Sequence, residues 1–461
     1  MSIKADFIWA IAANVTNAVL WATIIPISSH YLGVIDTAIW LNFVVLAGVA
    51  QLLELGFNPT LARNFSYVFA GAQSLRAVGL AGQNGVINHT LLAELICASQ
   101  KVYILIGVLS VIVLWGGGSF YIAAVLPVGV KQESVLIDWC VYSLANIVAL
   151  WFGYTNSMIL GRGDVRFFNK LLVVTRCLQL VLSIIGLVAG CGLFWLGLIA
   201  LISSITGRII AYARVRQEIL EAHRLAPSKV ATNSLAKLLW HNSGRYGLVM
   251  IGTFLITRAN LLIAGATIGI VPTAGYSFAI QVFTFLQSFA AIPFSMNLPK
   301  LNGWWAKKEY MQAKLIFGIS LVSGFIIYLV GAIAFIGAGP LIINEINGSL
   351  VLPDFWILLV MALTFLLEFN HGACANFLTV ANKVPFVGAS IITGIGIVLA
   401  SYIAAPLFGV VGLVAIVAIF QLLYNNWKWP LEASRLLGTT YFSLFSKSLN
   451  FLINRTVVLK R

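Results

Sequence analysis

The sequence predicts an all-α, polytopic membrane protein of about twelve transmembrane helices, arranged as two six-helix lobes around a central cavity. Three observations lead there. Hydrophobic residues make up 60% of the 461 and charged residues only 9%, whereas a soluble domain carries about 25% charged residues. Apolar runs long enough to cross a bilayer recur almost from end to end, and Lys and Arg gather in every second loop.

A helix needs roughly 20 apolar residues to span a hydrocarbon core of about 30 Å, because it rises about 1.5 Å per residue. Runs such as Val102 to Leu126 and Leu315 to Ala338 are apolar on all sides. Strands of a membrane barrel would alternate polar and apolar residues in segments of about ten. A helix also satisfies its own backbone, which lipid cannot do.

The first run begins near Phe7 after Lys4 and extends to about His30 with no small-residue cleavage site, so it reads as a retained helix. The first lobe, residues 1–213, holds predicted helices at 8–30, 37–57, 102–126, 138–160, 171–190 and 192–213. The second, residues 245–430, holds them at 245–268, 274–298, 315–338, 355–380, 385–405 and 408–429. Residues 214–244 form a basic cytoplasmic linker. The tail, 431–461, mixes Phe442, Phe445, Leu449 and Phe451 with Lys447 and Arg455, as an interfacial amphipathic helix does. Cys97, Cys140, Cys177, Cys191 and Cys374 are scattered without metal-ligand spacing, which points to packing and to no metal site.

Charge fixes the expected orientation. With both termini in the cytoplasm, only Lys131 of the 28 Lys and Arg falls outside and Arg176 and Arg258 fall within helices, leaving 25 on the cytoplasmic side. The net charge of +14 is then a consequence of topology, and nucleic acid is not an expected partner.

Ionisable residues inside spans cost about 2.5–3.5 kcal/mol on the insertion scale, so each marks either a partner or a wet cavity. Arg258 and Glu368 fall at similar depths in helices 7 and 10, where an ion pair would form if the helices face each other. Arg176 lies nearer the cytoplasmic face, within reach of it by snorkelling. His371 follows Glu368 by three residues and shares its helical face, a protonatable pair suited to ion coupling or a packed histidine beside a buried acid. Asn14 and Asn17, also three apart, place two amides on one face of helix 1, to line a cavity or to bond a neighbouring helix. Pro26 and Pro293 fall inside spans, where bends are tolerated.

After helix 2 the sequence reads Glu54-Leu55-Gly56-Phe57-Asn58-Pro59-Thr60-Leu61-Ala62-Arg63-Asn64-Phe65-Ser66-Tyr67, then Phe69-Ala70-Gly71-Ala72. This stretch resembles the Wzx-type O-antigen flippases, in the polysaccharide-transporter branch of the multidrug/oligosaccharidyl-lipid/polysaccharide exporter superfamily. The local match is specific, and elsewhere the resemblance is one of layout. It implies a protein of the bacterial cytoplasmic membrane that moves an undecaprenyl-diphosphate-linked oligosaccharide from the inner to the outer leaflet by alternating access. The polymerase and chain-length regulator of the same pathway are then expected partners, besides the bilayer itself. Arg258 and Arg176 are the residues suited to attract the anionic headgroup, with Arg63 at an inner entrance. Arg63 equally serves to end helix 2 and hold orientation.

No Walker-type loop is present, so no nucleotide cofactor is expected, and the energy would come from an ion gradient, H+ or Na+, or from the substrate gradient. Two other readings share the helix count. A small-molecule or drug antiporter of the same superfamily would use Glu368 for cation exchange. A membrane glycan polymerase or acyltransferase would need clustered catalytic residues at an exposed face, yet the outer loops are short and carry no His, and neither HExxH nor GxSxG occurs. The chain is therefore not expected to be an enzyme.

Overall fold

The apolar runs fold as helices, and several extend well past the point where the apolar run stops. The structure is a computed structural model that describes residues 3–54, 56–75, 80–83, 86–225, 227–345, 350–381 and 385–458. Leu55 of the motif and the last residues of the tail lie outside these. Among the described residues, eleven helices are long and apolar enough to cross a membrane.

The last of them, Val387–Leu436, is 50 residues long, about 75 Å at the helical rise and more than twice a bilayer core. It is two crossings joined at Gly409, whose φ of 59° and ψ of −143° are open only to glycine. The chain reverses there. Asn425 Nδ2 donates to Thr393 Oγ1 at 3.3 Å, Gly396 lies under the Phe420 ring, and Gly412 lies against the Ala404 carbonyl. Among the described residues this makes twelve crossings, as the sequence predicts.

The chain divides into two compact units, Met1–Phe254 with Gly269–Val271, and Leu255–Ile268 with Pro272–Arg461. The first unit opens with α1 (Ile3–Tyr31) and α2 (Gly33–Leu53). The motif stretch folds as α3 (Phe57–Phe69) running into β1 (Ala72–Leu75), with Gly56 at φ 69° turning the chain between α2 and α3. β1 pairs antiparallel with β2 (Leu80–Gln83), with Ala72 opposite Gln83, a short hairpin that an all-α prediction leaves out. Its four-residue strands are too short and polar to have shown against the apolar runs around them.

Next come α4 (His89–Val111), a π-helical stretch Ile112–Gly118 and α5 (Ser119–Val125), which together form one continuous crossing. It starts thirteen residues before the predicted Val102. The predicted fourth helix is broken, into α6 (Gln132–Trp151) and α7 (Tyr154–Gly161). Gly153 at the break touches the Tyr103 ring, and Gly161 touches Phe65, Ala62 and Ser66 of α3, so these glycines let the segments meet where a methyl would collide. Ser157 Oγ donates to Asn58 Oδ1 at 2.9 Å, fixing α3 on α7.

α8 (Val165–Val188) packs along α1, and α9 (Gly192–Leu225) lies against α6 and α8. The basic linker is not a loop. Residues 214–225 continue α9 and residues 229–244 begin α10 (Lys229–Thr257), so nearly all of the described linker is helical. Ala211, Val215, Ile219 and Ala222 are buried, a helical spacing that carries α9 beyond its lipid-soluble part. Arg214 pairs with Asp164 at 2.7 Å and Arg162 with Glu218, which fastens that extension to the start of α8.

The second unit begins inside α10 and continues with α11 (Ala259–Thr267), α12 (Ala274–Ala290) and α13 (Ile292–Ala306), the last with Pro293 in its first turn. α14 (Tyr310–Glu345) and α15 (Phe355–Val380) follow, then the two arms of α16 (Val387–Phe420) and a π-helical turn Gln421–Asn425. α17 (Asn426–Leu436) and α18 (Tyr441–Val458) complete it. Its core is aromatic, with Phe294, Phe317, Phe377 and Trp429 in one cluster. The tail also differs from a loosely adsorbed amphipathic helix. α18 packs on α14, with Leu444 3% exposed, Phe445 edge-on to Phe325 and Ser448 against Gly318.

Candidate functional site

The first unit holds a cavity of about 330 Å³ between α1, α6, α7, α8 and α9. Trp21, Tyr142 and Phe168 supply aromatic walls, and two guanidiniums, Arg176 and Arg208, face it from α8 and α9. No carboxylate is among its lining residues. Gly207 beside Arg208 brings α9 within van der Waals reach of Thr175 on α8, so the two arginines are carried on closely packed helices.

The polar lining divides by how it is satisfied. Asn146 donates to the Tyr142 carbonyl, Thr175 to that of Leu171, Ser203 to that of Thr175 and Ser204 to that of Ala145. The first two serve their own helices, and the two serines tie α9 to α8 and to α6. The side-chain amides of Asn156 and Gln179 make no hydrogen bond among the described residues and remain free to meet a polar ligand. Arg176 Nη1 donates to the Ala13 carbonyl of α1 at 2.7 Å, which leaves its other donors available. It is anchored inward rather than snorkelling outward.

Arg208 was not legible as a membrane residue. It stands sixteen residues beyond Gly192, about 24 Å along α9, but a helix ending at 213 places it at the cytoplasmic face. Its Nη1 is sealed from solvent and has no hydrogen-bond acceptor among the described residues, a costly state for a charged donor. The acid whose charge bears on it is Glu54, just past the end of the α2 crossing, Gly33–Ala50. Tyr103 donates its hydroxyl to Glu54 Oε1 at 2.8 Å. Burial pushes the Glu54 carboxyl above its usual range, while the Tyr103 hydrogen bond and the Arg208 charge pull it back.

The remaining predicted residues of this unit lie elsewhere. Arg63 is exposed on α3 and does not line the cavity. Asn14 turns its amide back to the Ala10 carbonyl of its own helix at 2.9 Å and is exposed. Asn17 is half-buried, and neither asparagine reaches the cavity, which α1 lines through Trp21 instead.

In the second unit Glu368 is 9% exposed and accepts from Gln421 Nε2 at 3.0 Å and from Gln287 Nε2 at 3.4 Å. These two amides replace the expected partner. No ion pair joins Glu368 to Arg258 among the described residues; Arg258 sits half-buried at the start of α11, where the predicted seventh helix breaks. Nor does His371 pair with Glu368. Its Nδ1 meets Asn426 Oδ1 at 2.8 Å, a contact that satisfies the ring within the protein.

Glu368 also borders a small hollow, about 20 Å³, with Asn260, Tyr276 and Thr364, enough for one water-sized occupant. Asn260 Oδ1 is buried there without a partner among the described residues. Gln421 continues the network, since it accepts from Asn425 Nδ2 at 2.8 Å, and Asn425 Oδ1 accepts from Trp429 Nε1 at 3.0 Å.

No protein-family model and no curated protein matches the chain. Its fold does match solved structures. An inward-facing multidrug resistance MATE family transporter of the MOP superfamily superposes with a TM-score of 0.68 at 13% identity, over 92% of this chain and 96% of that one. The inward closed conformation of the lipid II flippase MurJ gives 0.63 at 11% identity, over 98% and 92%. An outward-facing MATE transporter gives 0.61 at 13%, over 94% and 96%. Over nearly its whole length, the chain has the fold shared by the MATE transporters and the lipid II flippase MurJ.

Proposed function

We propose that this protein is a flippase of the Wzx type, carrying undecaprenyl-diphosphate-linked O-antigen repeat units from the cytoplasmic to the periplasmic leaflet of a bacterial inner membrane by alternating access, with both termini cytoplasmic. The observation that carries the reading is the cavity of the first unit, whose lining sets two guanidiniums beside free amides and no carboxylate. Guanidinium forks match phosphate oxygens, and the amides of Asn156 and Gln179 suit sugar hydroxyls. The lipid tail needs no polar site and stays in the bilayer.

The motif Glu54 to Ala72 supports the same reading, and so does the likeness of fold to a lipid II flippase. A cationic drug entering the same cavity would be repelled by Arg176 and Arg208, which weighs against the antiporter alternative. Ion coupling, by H+ or Na+, falls to Glu368 and the hollow beside it, where the carboxylate and the orphaned Asn260 oxygen offer oxygen ligands. Arg258 and Arg63 would attract the anionic headgroup outside that cavity, and His371 would support the Glu368 region. The polymerase and chain-length regulator of the pathway would act on the product outside.

The test is reconstitution in vesicles with a fluorescent undecaprenyl-diphosphate oligosaccharide loaded in one leaflet. Protein-dependent appearance of the label in the other leaflet supports the reading. Equal movement in protein-free vesicles, or export of cationic dyes alone, refutes it.

A further inference from the structure

We propose that the basic turns at one end of the second unit form a docking surface for acidic phospholipid headgroups, with Lys307, Lys308 and Lys447 as the residues that select them. Such a surface serves the protein whatever the first unit's cavity carries.

Four helix ends meet there around one apolar cluster. Leu301 of α13, Ala313 and Phe317 of α14, Leu437 just past α17 and Leu444 of α18 are buried together. The crossings Ala274–Leu298 and Val387–Leu436 end at this place and Tyr310–Ile343 begins there, so its exposed side belongs at a membrane surface. Residues 298–317 and 426–450 carry seven cations and only two acids, Glu309 and Glu432. Lys428 and Arg435 share Glu432 at 3.0 and 3.5 Å, and Lys314 Nζ donates to the Gly438 carbonyl at 3.4 Å. Lys300, Lys307, Lys308 and Lys447 are exposed and have no ion pair among the described residues. Around the start of α8 in the first unit, by contrast, Arg162, Arg166 and Arg214 each meet an acid. The positive-inside rule accounts for the side of the membrane these lysines occupy, not for the missing acids.

Lys308 is the sharpest sign. It follows α13 with φ at 61°, the one non-glycine residue of positive φ among the described residues, at a place where glycine would be free of strain. The turn is closed by its own N–H, which donates to the Trp305 carbonyl at 3.0 Å, and by that of Glu309, which donates to Trp304 at 2.8 Å. A charged side chain kept on a strained backbone points to a role at the tip of the turn. The apolar surroundings favour lipid over a soluble polyanion. Tyr310 and Met311 are exposed just after Lys307 and Lys308, Trp427 is exposed just before Lys428, and Phe442 is exposed on α18. Aromatic rings settle at the headgroup level of a bilayer, and lysine stems lie along apolar surface with the ammonium among the headgroups. α18 is then held on two sides, by α14 through Leu444 and Ser448 and by headgroups through Lys447.

The experiment titrates the full-length protein in detergent with dioctanoyl phosphatidylglycerol and with dioctanoyl phosphatidylcholine, reading affinity by thermophoresis and stability by the unfolding temperature. Phosphatidylglycerol should bind about tenfold more tightly, lose affinity as salt rises and raise the unfolding temperature of the wild type. Lys308→Gly should bind it about fivefold more weakly, yet unfold without lipid at or above the wild-type temperature, because the turn is relieved. Lys307→Gln combined with Lys447→Gln should weaken binding by about tenfold or more. Lys237→Gln, which removes an exposed cation of the first unit, should change affinity less than about twofold.

Equal affinity for the two lipids overturns the proposal, as does wild-type phosphatidylglycerol binding by Lys308→Gly and by the double variant. Inorganic phosphate binding as tightly as phosphatidylglycerol overturns it too, leaving an adventitious ion only. A polyglutamate peptide whose binding is lost in Lys308→Gly, where that of phosphatidylglycerol is not, makes the face a protein-docking site instead.

Discussion

The Tyr103 hydroxyl donates to Glu54 Oε1 at 2.8 Å, tying α4 to the point where α2 gives way to α3. Tyr103→Phe leaves Glu54 Oε1 without that donor and should cost about 1–3 kcal/mol of stability, read as a lower unfolding temperature in detergent. An unfolding temperature equal to wild type would contradict a structural tie between the two helices.

Arg176 holds α1 through the Ala13 carbonyl as well as facing the cavity. Arg176→Lys should keep the charge yet lose the planar fork, lowering affinity for a lipid diphosphate by about three- to tenfold. Arg176→Gln should lower it further. Equilibrium binding of both variants checks the order, and lysine performing as well as arginine would reduce the residue to a point charge.

Glu368 accepts from two amides at once, the buried Gln421 and the half-buried Gln287. Glu368→Ala leaves Gln421 and Gln287 without that acceptor and should cost about 1–3 kcal/mol of stability, visible as a lower unfolding temperature. Glu368→Gln preserves bulk, and vesicles carrying it should lose stimulation of transport by an imposed H+ or Na+ gradient while still binding the lipid-linked substrate. Gradient stimulation equal to wild type would remove Glu368 from coupling.

Gly275 supports the second unit sterically. A methyl there would meet the Val351 carbonyl oxygen at 1.8 Å, a backbone atom that cannot swing aside. Gly275→Ala should destabilise by about 1–3 kcal/mol. Gly409→Ala should cost a similar amount, about 1–3 kcal/mol, for a different reason: open space surrounds it, but its φ of 59° and ψ of −143° belong to glycine. Unfolding curves of the two variants in detergent provide the check.

The twelve crossings were legible because lipid demands apolar residues on every side of a helix, and runs such as Phe355–Val380 end where the sequence becomes polar. The extensions of α9 and α10 were hidden because hydropathy stops counting at the first cluster of charge, although Ala211, Val215, Ile219 and Ala222 keep the helical spacing. Arg208 falls inside the predicted helix 192–213 but close to its cytoplasmic end, where an arginine draws no notice. Breaks at Phe152 and Arg258 escaped notice, since a broken helix is as apolar as a straight one. Glu368 and His371 stood out as polar residues in lipid. Their actual partners, Gln421 and Asn426, lie more than fifty residues away and could be found only by folding the chain.

The central claim is that guanidiniums in the first unit's cavity hold the anionic headgroup during its passage. The most direct measurement is leaflet transfer of a labelled undecaprenyl-diphosphate oligosaccharide by the Arg176→Gln, Arg208→Gln double variant, inserted in vesicles at wild-type levels and unfolding at a temperature close to wild type. Transfer should fall to the rate of protein-free vesicles. Transfer at the wild-type rate would contradict the account.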